Sequence, residues 1–138
     1  MPNTKATGVA YADPEFTTCY ASEEIGYSAA AQGAVTQLSS KSTAVTLNKS
    51  AGVITMNNAS LAGATAVSFV LNNNLLSVKD TLIVNVSSNT TGSAAGAYTV
   101  YVSYLAAGSA FITLRNMTAA TPYSEAVAIN FSVIHAAV

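Results

Sequence analysis

The fold is decided by the stretch from Gly33 to Leu61, which reads GAVTQLSSKSTAVTLNKSAGVITMNNASL. Three short runs alternate Val, Leu, Ile and Met with Thr, Gln and Asn, and Ser, Lys and Gly separate the runs. Alternation with a period of two is typical of strands with one buried face. The stretch predicts strands at 34–38, 43–48 and 52–57, and their short connections favour antiparallel neighbours.

The chain beyond this stretch continues the same pattern. Five more strands are predicted, at 65–72, 80–88, 97–105, 109–116 and 125–135. No segment keeps a helical period for more than two turns, and the tract 87–96 is small, polar and loop-like. Eight short strands separated by turns predict an all-β fold, either an antiparallel β-sandwich or a jelly-roll-like barrel.

The alternation also assigns side chains to the two faces of the strands. Phe69 and Phe131 are predicted to be central core residues. Tyr98 and Tyr104 are predicted on one face of their strand, as core residues with wet hydroxyl ends, and Tyr101 on the other. Tyrosine suits surfaces that are dry on one side and hydrogen-bonded on the other, including subunit interfaces and carbohydrate platforms.

Composition indicates a single domain that contacts other molecules. The chain has 138 residues and a net charge of -1, and only 8% of its residues are charged, against about 25% in a typical protein. Such a surface has few repelling charges to keep copies apart. We therefore expect a protein that contacts copies of itself or a partner.

The same totals argue against other partners. The basic residues are scattered singly, unlike the clusters of a duplex-binding protein, so no nucleic-acid partner is expected. No apolar run reaches about 18 residues, and the first residues lack the apolar segment of a secretory signal. We expect no membrane partner, and synthesis in the cytoplasm.

Residues 1–32 differ from the rest because they sustain no regular period. They are predicted to form an extended N-terminal arm that precedes a β-sandwich domain at 33–138, and they hold four of the six acidic residues. Such arms stay disordered unless something holds them. The arm is expected to dock on a neighbouring subunit or on a positively charged surface; the alternative is a solvated acidic tail. Its candidate interface residues are Tyr11, Phe16, Tyr20, Glu23, Glu24 and Tyr27.

The sequence offers no catalytic constellation. His135 is the only histidine and Cys19 the only cysteine, too few for a metal site built from these ligands. A Ca²⁺ site at Asp80 is conceivable, but no clustered acids accompany it. The adjacent Glu23 and Glu24 are more typical of a solvated pair than of glycosidase carboxylates. No enzyme activity, cofactor or metal is therefore predicted.

Six segments of the chain carry a resemblance to a known family. They are the segments 35–49, 52–62 and 67–73, continued by 96–100, 111–116 and 124–136. In these segments the chain is similar to a family of small tailed-phage virion structural proteins. The resemblance covers residues 33 to 136 and rests on strand pattern, without catalytic residues.

This resemblance implies a function outside catalysis. It implies a capsid decoration or cement protein of a bacteriophage, located on the capsid surface of the virion after assembly in the host cytoplasm. The implied partners are the major capsid protein and copies of the chain itself, as a homotrimer by analogy with other head-decorating proteins. The alternative is a carbohydrate-binding or host-adhesion module of a head or tail fibre, with a glycan partner and ligand loops at Asn73, Asn89 and Tyr123.

Overall fold

The computed structural model describes residues 17–87 and 95–136. Eight strands form two four-stranded sheets that pack face to face, so the predicted all-β sandwich is confirmed. The strands are β1 (Gln32–Thr36), β2 (Val45–Thr46), β3 (Ala51–Thr55), β4 (Ala66–Asn72), β5 (Thr81–Val86), β6 (Tyr98–Ala106), β7 (Ser109–Asn116) and β8 (Ala128–Ile134). Short 3₁₀ helices at Ala29–Ala31 and Ala95–Ala97 precede β1 and β6.

The chain alternates between the two sheets. The first sheet has the strand order β1-β3-β8-β5 and the second has the order β2-β4-β7-β6. Every connection reverses the chain direction, and among the described strands only β6 and β7 are both consecutive and hydrogen-bonded to each other. Most strands that follow one another in sequence therefore face each other across the core.

This alternation makes the prediction of antiparallel neighbours wrong for the first three strands. β1 pairs with β3 in parallel, from Gln32 opposite Ala51 to Thr36 opposite Thr55. β2 likewise pairs in parallel with β4. The chain does reverse after β1, but β2 joins the other sheet and the next reversal brings β3 back beside β1. Residues 37–50 supply the dozen or more residues that a parallel connection requires. Both sheets are consequently mixed.

The core lies between the inward faces of the two sheets. It contains Ile54, Ile129 and Val133 from the first sheet, and Phe69, Leu71, Ile112 and Leu114 from the second. Both Phe69 and Phe131 are buried, as predicted. Burial of apolar surface at about 25 cal/mol per Å² is the main favourable term for such a sandwich.

A β-bulge changes which face the end of β6 presents. The register with β7 shifts between Val102 and Tyr104, which leaves one residue without a partner and turns the strand. Tyr98 is buried, as predicted, whereas Tyr104 is 61% exposed beside Phe111. The prediction of Tyr104 as a core residue is wrong because the extra residue moves it to the outer face with Tyr101.

Gly33 and Gly52 allow the first sheet to pack closely against Leu47 of the chain between β2 and β3. Gly52 in β3 lies opposite Gly33 in β1. A Cβ atom on Gly52 would lie 2.5 Å from the Gly33 carbonyl oxygen and 2.9 Å from a methyl group of Leu47. Leu47, between β2 and β3, fills the space over both glycines and joins the edge of the core.

Gly52→Ala is expected to destabilise the protein by about 1–3 kcal/mol, because overpacking forces side chains and backbone to shift. Chemical denaturation followed by circular dichroism measures this difference. Gly96→Ala is the matched control, since a Cβ atom at Gly96 meets nothing within 4 Å. Equal unfolding free energies for the two variants would contradict the close packing described for β1 and β3.

Candidate interaction surfaces

The part of the arm that the structure describes lies at the beginning of β1, at one end of the sandwich. Residues 17–30 are exposed. Tyr20 is 92% exposed and Ile25 is 86% exposed, so neither apolar side chain is covered by its own domain. Glu23 and Glu24 are exposed as well. Two of the predicted arm residues, Tyr11 and Phe16, lie outside the described residues.

The arm meets the domain at Tyr27. The Tyr27 hydroxyl donates a hydrogen bond to the Val133 carbonyl oxygen in β8. The Gln32 side chain donates to the Tyr27 carbonyl oxygen at 2.9 Å, and Lys49 Nζ donates to the Ala30 carbonyl oxygen at 2.8 Å. These contacts fix the root of the arm across the first sheet and leave the residues before it uncovered.

The outer face of the first sheet carries no charge. None of the four strands β1, β3, β5 and β8 contains an acidic or basic residue. Their outward side chains are small, amide or aliphatic, and the largest of them are Ile83 and Ile134, each about half exposed. Charged residues on a protein surface normally keep copies apart. This face lacks that protection.

The outer face of the second sheet carries an aromatic patch, formed by Tyr101, Tyr104 and Phe111. All three rings are exposed by 41% or more. The Tyr104 and Phe111 rings lie edge to face with their centroids 6.1 Å apart. Tyr101 stands opposite Thr113 on the neighbouring strand.

A row of hydroxyl groups lies beside the aromatic patch. Thr113 Oγ1 donates to Ser103 Oγ at 2.9 Å and lies 2.7 Å from Ser68 Oγ. The row crosses from β4 through β7 to β6. Aromatic rings next to hydroxyl groups form an amphipathic surface, which can bind an apolar group and a hydrogen-bonding group together.

The end of the sandwich opposite the arm, the distal end, is stabilised by buried polar groups. Lys41 Nζ donates to the carbonyl oxygens of Asn57 and Glu125, at 2.5 Å each. The Gln37 side chain donates to the carbonyl oxygens of Lys41 and Thr43 and accepts a hydrogen bond from the Asn57 N–H. These contacts hold together loops that come from β1, β3 and the segment before β8.

Two ionisable side chains of the distal end, Lys41 and Tyr98, are buried and have shifted pKa values. Burial lowers the pKa of Lys41, and the Glu125 charge opposes that shift. Burial, with a contribution from Glu125, raises the pKa of Tyr98 to about 12, so its hydroxyl stays protonated at neutral pH. A tyrosine in this state is no general base. The Tyr98 ring also packs edge to face on Tyr123, with centroids 6.2 Å apart.

The residues predicted to form ligand loops are not brought together. Asn73 lies at the arm end and Tyr123 at the distal end, because successive connections alternate between the two ends; Asn89 lies outside the described residues. Asn73 is fully buried, and its side chain donates to the Lys49 carbonyl oxygen and accepts from the Leu75 N–H. It is a structural residue, so the predicted exposed amide is wrong.

Asp80 ties the C-terminal strand to the arm end. Its carboxylate accepts hydrogen bonds from the backbone N–H of Ser77 at 2.8 Å and of Ala136 at 3.1 Å, and it pairs with His135 Nδ1 at 3.0 Å. Both carboxylate oxygens therefore have protein partners, which leaves Asp80 poorly suited to the conceivable Ca²⁺ site. Hydrogen bonding from Ser77, opposed by burial and reinforced by Ala136 and His135, lowers the pKa of Asp80 to about 2.

Within residues 17–87 and 95–136, no group of three or more His, Cys, Asp or Glu residues is placed to hold a metal ion. No helix there is long and apolar enough to cross a membrane. Cys19 is exposed in the arm and forms no disulfide.

Comparison with protein-family models, curated proteins and solved structures found no match. The resemblance to tailed-phage structural proteins therefore stays a prediction. A proposed function therefore depends on the chemistry of the two outer sheet faces and of the arm.

Sequence reasoning missed the aromatic patch as a unit. Tyr101 and Tyr104 are three residues apart, so strict alternation assigns them to opposite faces. Phe111 belongs to another strand and adjoins Tyr104 only through pairing across the hairpin. The patch exists because the bulge in β6 adds one residue, and no signal in the sequence marks that position.

Asp80→Asn is expected to lower the melting temperature at pH 6. The melting temperature of this variant should also decrease less between pH 4 and pH 2 than that of the unmodified chain. A carboxylate whose folded pKa is depressed stabilises the fold above the unfolded value of about 4, and this contribution is lost as the pH falls through the folded value. Thermal unfolding at several pH values measures the difference. The exposed arm variant Glu23→Gln serves as the control, and identical pH profiles for Asp80→Asn and the unmodified chain would contradict the assigned role.

Proposed function

We propose that this chain is a non-enzymatic structural protein of a tailed-phage particle. It acts as a capsid decoration or cement protein, associates with copies of itself as a trimer, and bridges neighbouring major capsid subunits on the capsid surface. The resemblance of residues 33–136 to virion structural proteins supplies the biological setting. The uncharged outer face of the first sheet is the observation that carries the proposal.

The distribution of charge supports a role in assembly. Among the described residues, the two sheets together contain one charged residue, Arg115, and the remaining charges lie in loops and in the arm. Mixed surface charge keeps soluble proteins apart. A sheet face without it favours burial against another protein surface, as at subunit interfaces, whose cores are depleted of charge.

The exposed arm supports the same role. Tyr20 and Ile25 are large apolar side chains that their own domain leaves almost fully exposed. Tyrosine is enriched at protein interfaces and loses little conformational entropy there. The neighbouring Glu23 and Glu24 add negative charge that would pair with a basic site on a neighbouring subunit. The distal end, by contrast, is held by internal hydrogen bonds.

The purified chain is expected to form a trimer at micromolar concentration and to co-sediment with expanded tailed-phage capsids that lack it. Sedimentation velocity measures the first property and co-sedimentation the second. The added chain should also raise the temperature at which these capsids disrupt, because a ligand that binds only the assembled shell stabilises it. A monomer that leaves the capsids unbound would overturn the proposal.

A second function, glycan binding in host adhesion, is favoured by the aromatic patch. The faces of sugar rings pack on aromatic side chains, and their hydroxyl groups need hydrogen-bond partners. Tyr101, Tyr104 and Phe111 supply rings, and the row of Ser68, Thr113 and Ser103 supplies hydroxyl groups. The aromatic patch is therefore the proposed glycan site, in place of the loops near Asn73 and Tyr123.

Tyr104→Ala is expected to abolish any binding detected on a glycan array, because it removes the most exposed ring of the patch. Tyr20→Ala is the control, since Tyr20 is an exposed tyrosine of the arm. Tyr123→Ala is a poor test because Tyr123 packs on Tyr98. A blank array with the unmodified chain would exclude this second function for the glycans displayed.

A further inference from the structure

A groove crosses the outer face of the first sheet near the arm end. Its volume is about 690 Å³. Gly33 and Gly52 line it with their backbone, since a side chain at either position would point inward to Leu47. Val53, Ile83 and Ile134 form apolar walls, and no residue that lines the groove is acidic or basic. Such a surface suits an apolar, extended peptide segment.

The chain's own arm occupies only one end of this groove. Ile25, Gly26 and Tyr27 line it, and the Tyr27 hydroxyl is anchored to Val133. Ile25 nevertheless remains 86% exposed, and residues 17–24 are exposed along their whole length. One copy of the protein thus presents both an uncovered apolar groove and an uncovered arm with apolar side chains.

We propose that the arm of one copy, residues 17–25, binds in the groove on the first sheet of a second copy. Tyr20 and Ile25 of the arm pack against the apolar walls near Ile83 and Ile134. This exchange buries the two surfaces that a single copy leaves exposed, at a gain of roughly 25 cal/mol per Å² of apolar area. The inference rests on the self-association proposed above and places its contact.

Charge complementarity supports this occupant. Glu23 and Glu24 lie in the arm between its two exposed apolar residues. The loop 73–80, which contains the exposed Lys79, lies at the arm end of the sandwich, where β5 begins beside β8. An arm that enters the groove of a second copy brings its glutamates to the end that carries this lysine. Complementary charges of this kind fix orientation and speed association.

A complementation experiment tests the exchange with full-length chains. The arm variant combines Tyr20→Asp with Ile25→Asp, and the groove variant is Ile83→Asp. Each variant alone should associate with itself at least tenfold more weakly than the unmodified chain. An equimolar mixture should form a heterodimer, because the groove variant keeps an intact arm and the arm variant keeps an intact groove. Sedimentation velocity measures both results.

Met117→Asp is the matched control for the groove variant. Met117 is 58% exposed just after β7, at the distal end, and Ile83 is 48% exposed on the first sheet. This control should associate like the unmodified chain, and thermal melts show whether all variants are folded. Undiminished self-association of both the arm and the groove variants would overturn the proposal. A mixture that stays monomeric would also overturn it and would indicate that the arm folds back on its own groove.

Cys19 provides a direct readout of the contact. It is exposed in the arm and is the only cysteine of the chain. For this readout, the arm variant carries two further changes. Cys19→Ser removes its native cysteine, and Ser132→Cys places a new cysteine in its groove. A short bismaleimide linker should then join the two copies through native Cys19 of the groove variant. A linked product from Thr99→Cys on the second sheet, with none from Ser132→Cys, would overturn the assignment.

The outcomes separate this inference from the proposed function. Capsid binding by variants that fail to complement each other would overturn arm exchange and leave capsid decoration standing. Complementation without capsid binding would place the arm in the groove of a second copy and overturn decoration.

Discussion

The structure depends on one constraint: nearly every connection reverses the chain and also carries it to the opposite sheet. Most successive strands therefore lie in opposite sheets, and most backbone hydrogen bonds between strands join partners that are distant in sequence. β3 is held between β1 and β8, and β7 between β4 and β6. The apolar inner faces of both sheets are buried in one core, so the two outer faces and the arm are left as surfaces for contact with other molecules.

The same constraint divides polar groups between the two ends of the sandwich. Lys41, Gln37 and Glu125 close the distal end, and Asp80 with His135 closes the arm end. Buried polar groups are costly unless they are hydrogen-bonded, and most of these groups satisfy backbone carbonyl or N–H groups of neighbouring loops. Lys41 and Asp80 thus stabilise loops, and among the described residues Arg115 is the only charged residue within the strands.

The outer faces differ in chemistry as well as in position. The first is uncharged and carries a groove, and the root of the arm is fixed across it by Tyr27. The second displays three exposed rings beside a row of hydroxyl groups. A molecule with two such faces can bind copies of itself through one and a different partner through the other, which allows the assembly and glycan proposals to be tested separately.

The sequence by itself determined the eight strands, the all-β class and the burial of Phe69 and Phe131, because side-chain alternation is a local property with a period of two. It also indicated an arm with exposed aromatic and acidic residues. Only the tertiary structure decided that β1 pairs in parallel with β3, since pairing depends on which sheet each strand joins. Likewise, the bulge that exposes Tyr104, the burial of Asn73 and the groove on the first sheet arise from contacts between segments far apart in the chain. A pattern read along one strand carries no information about its neighbours.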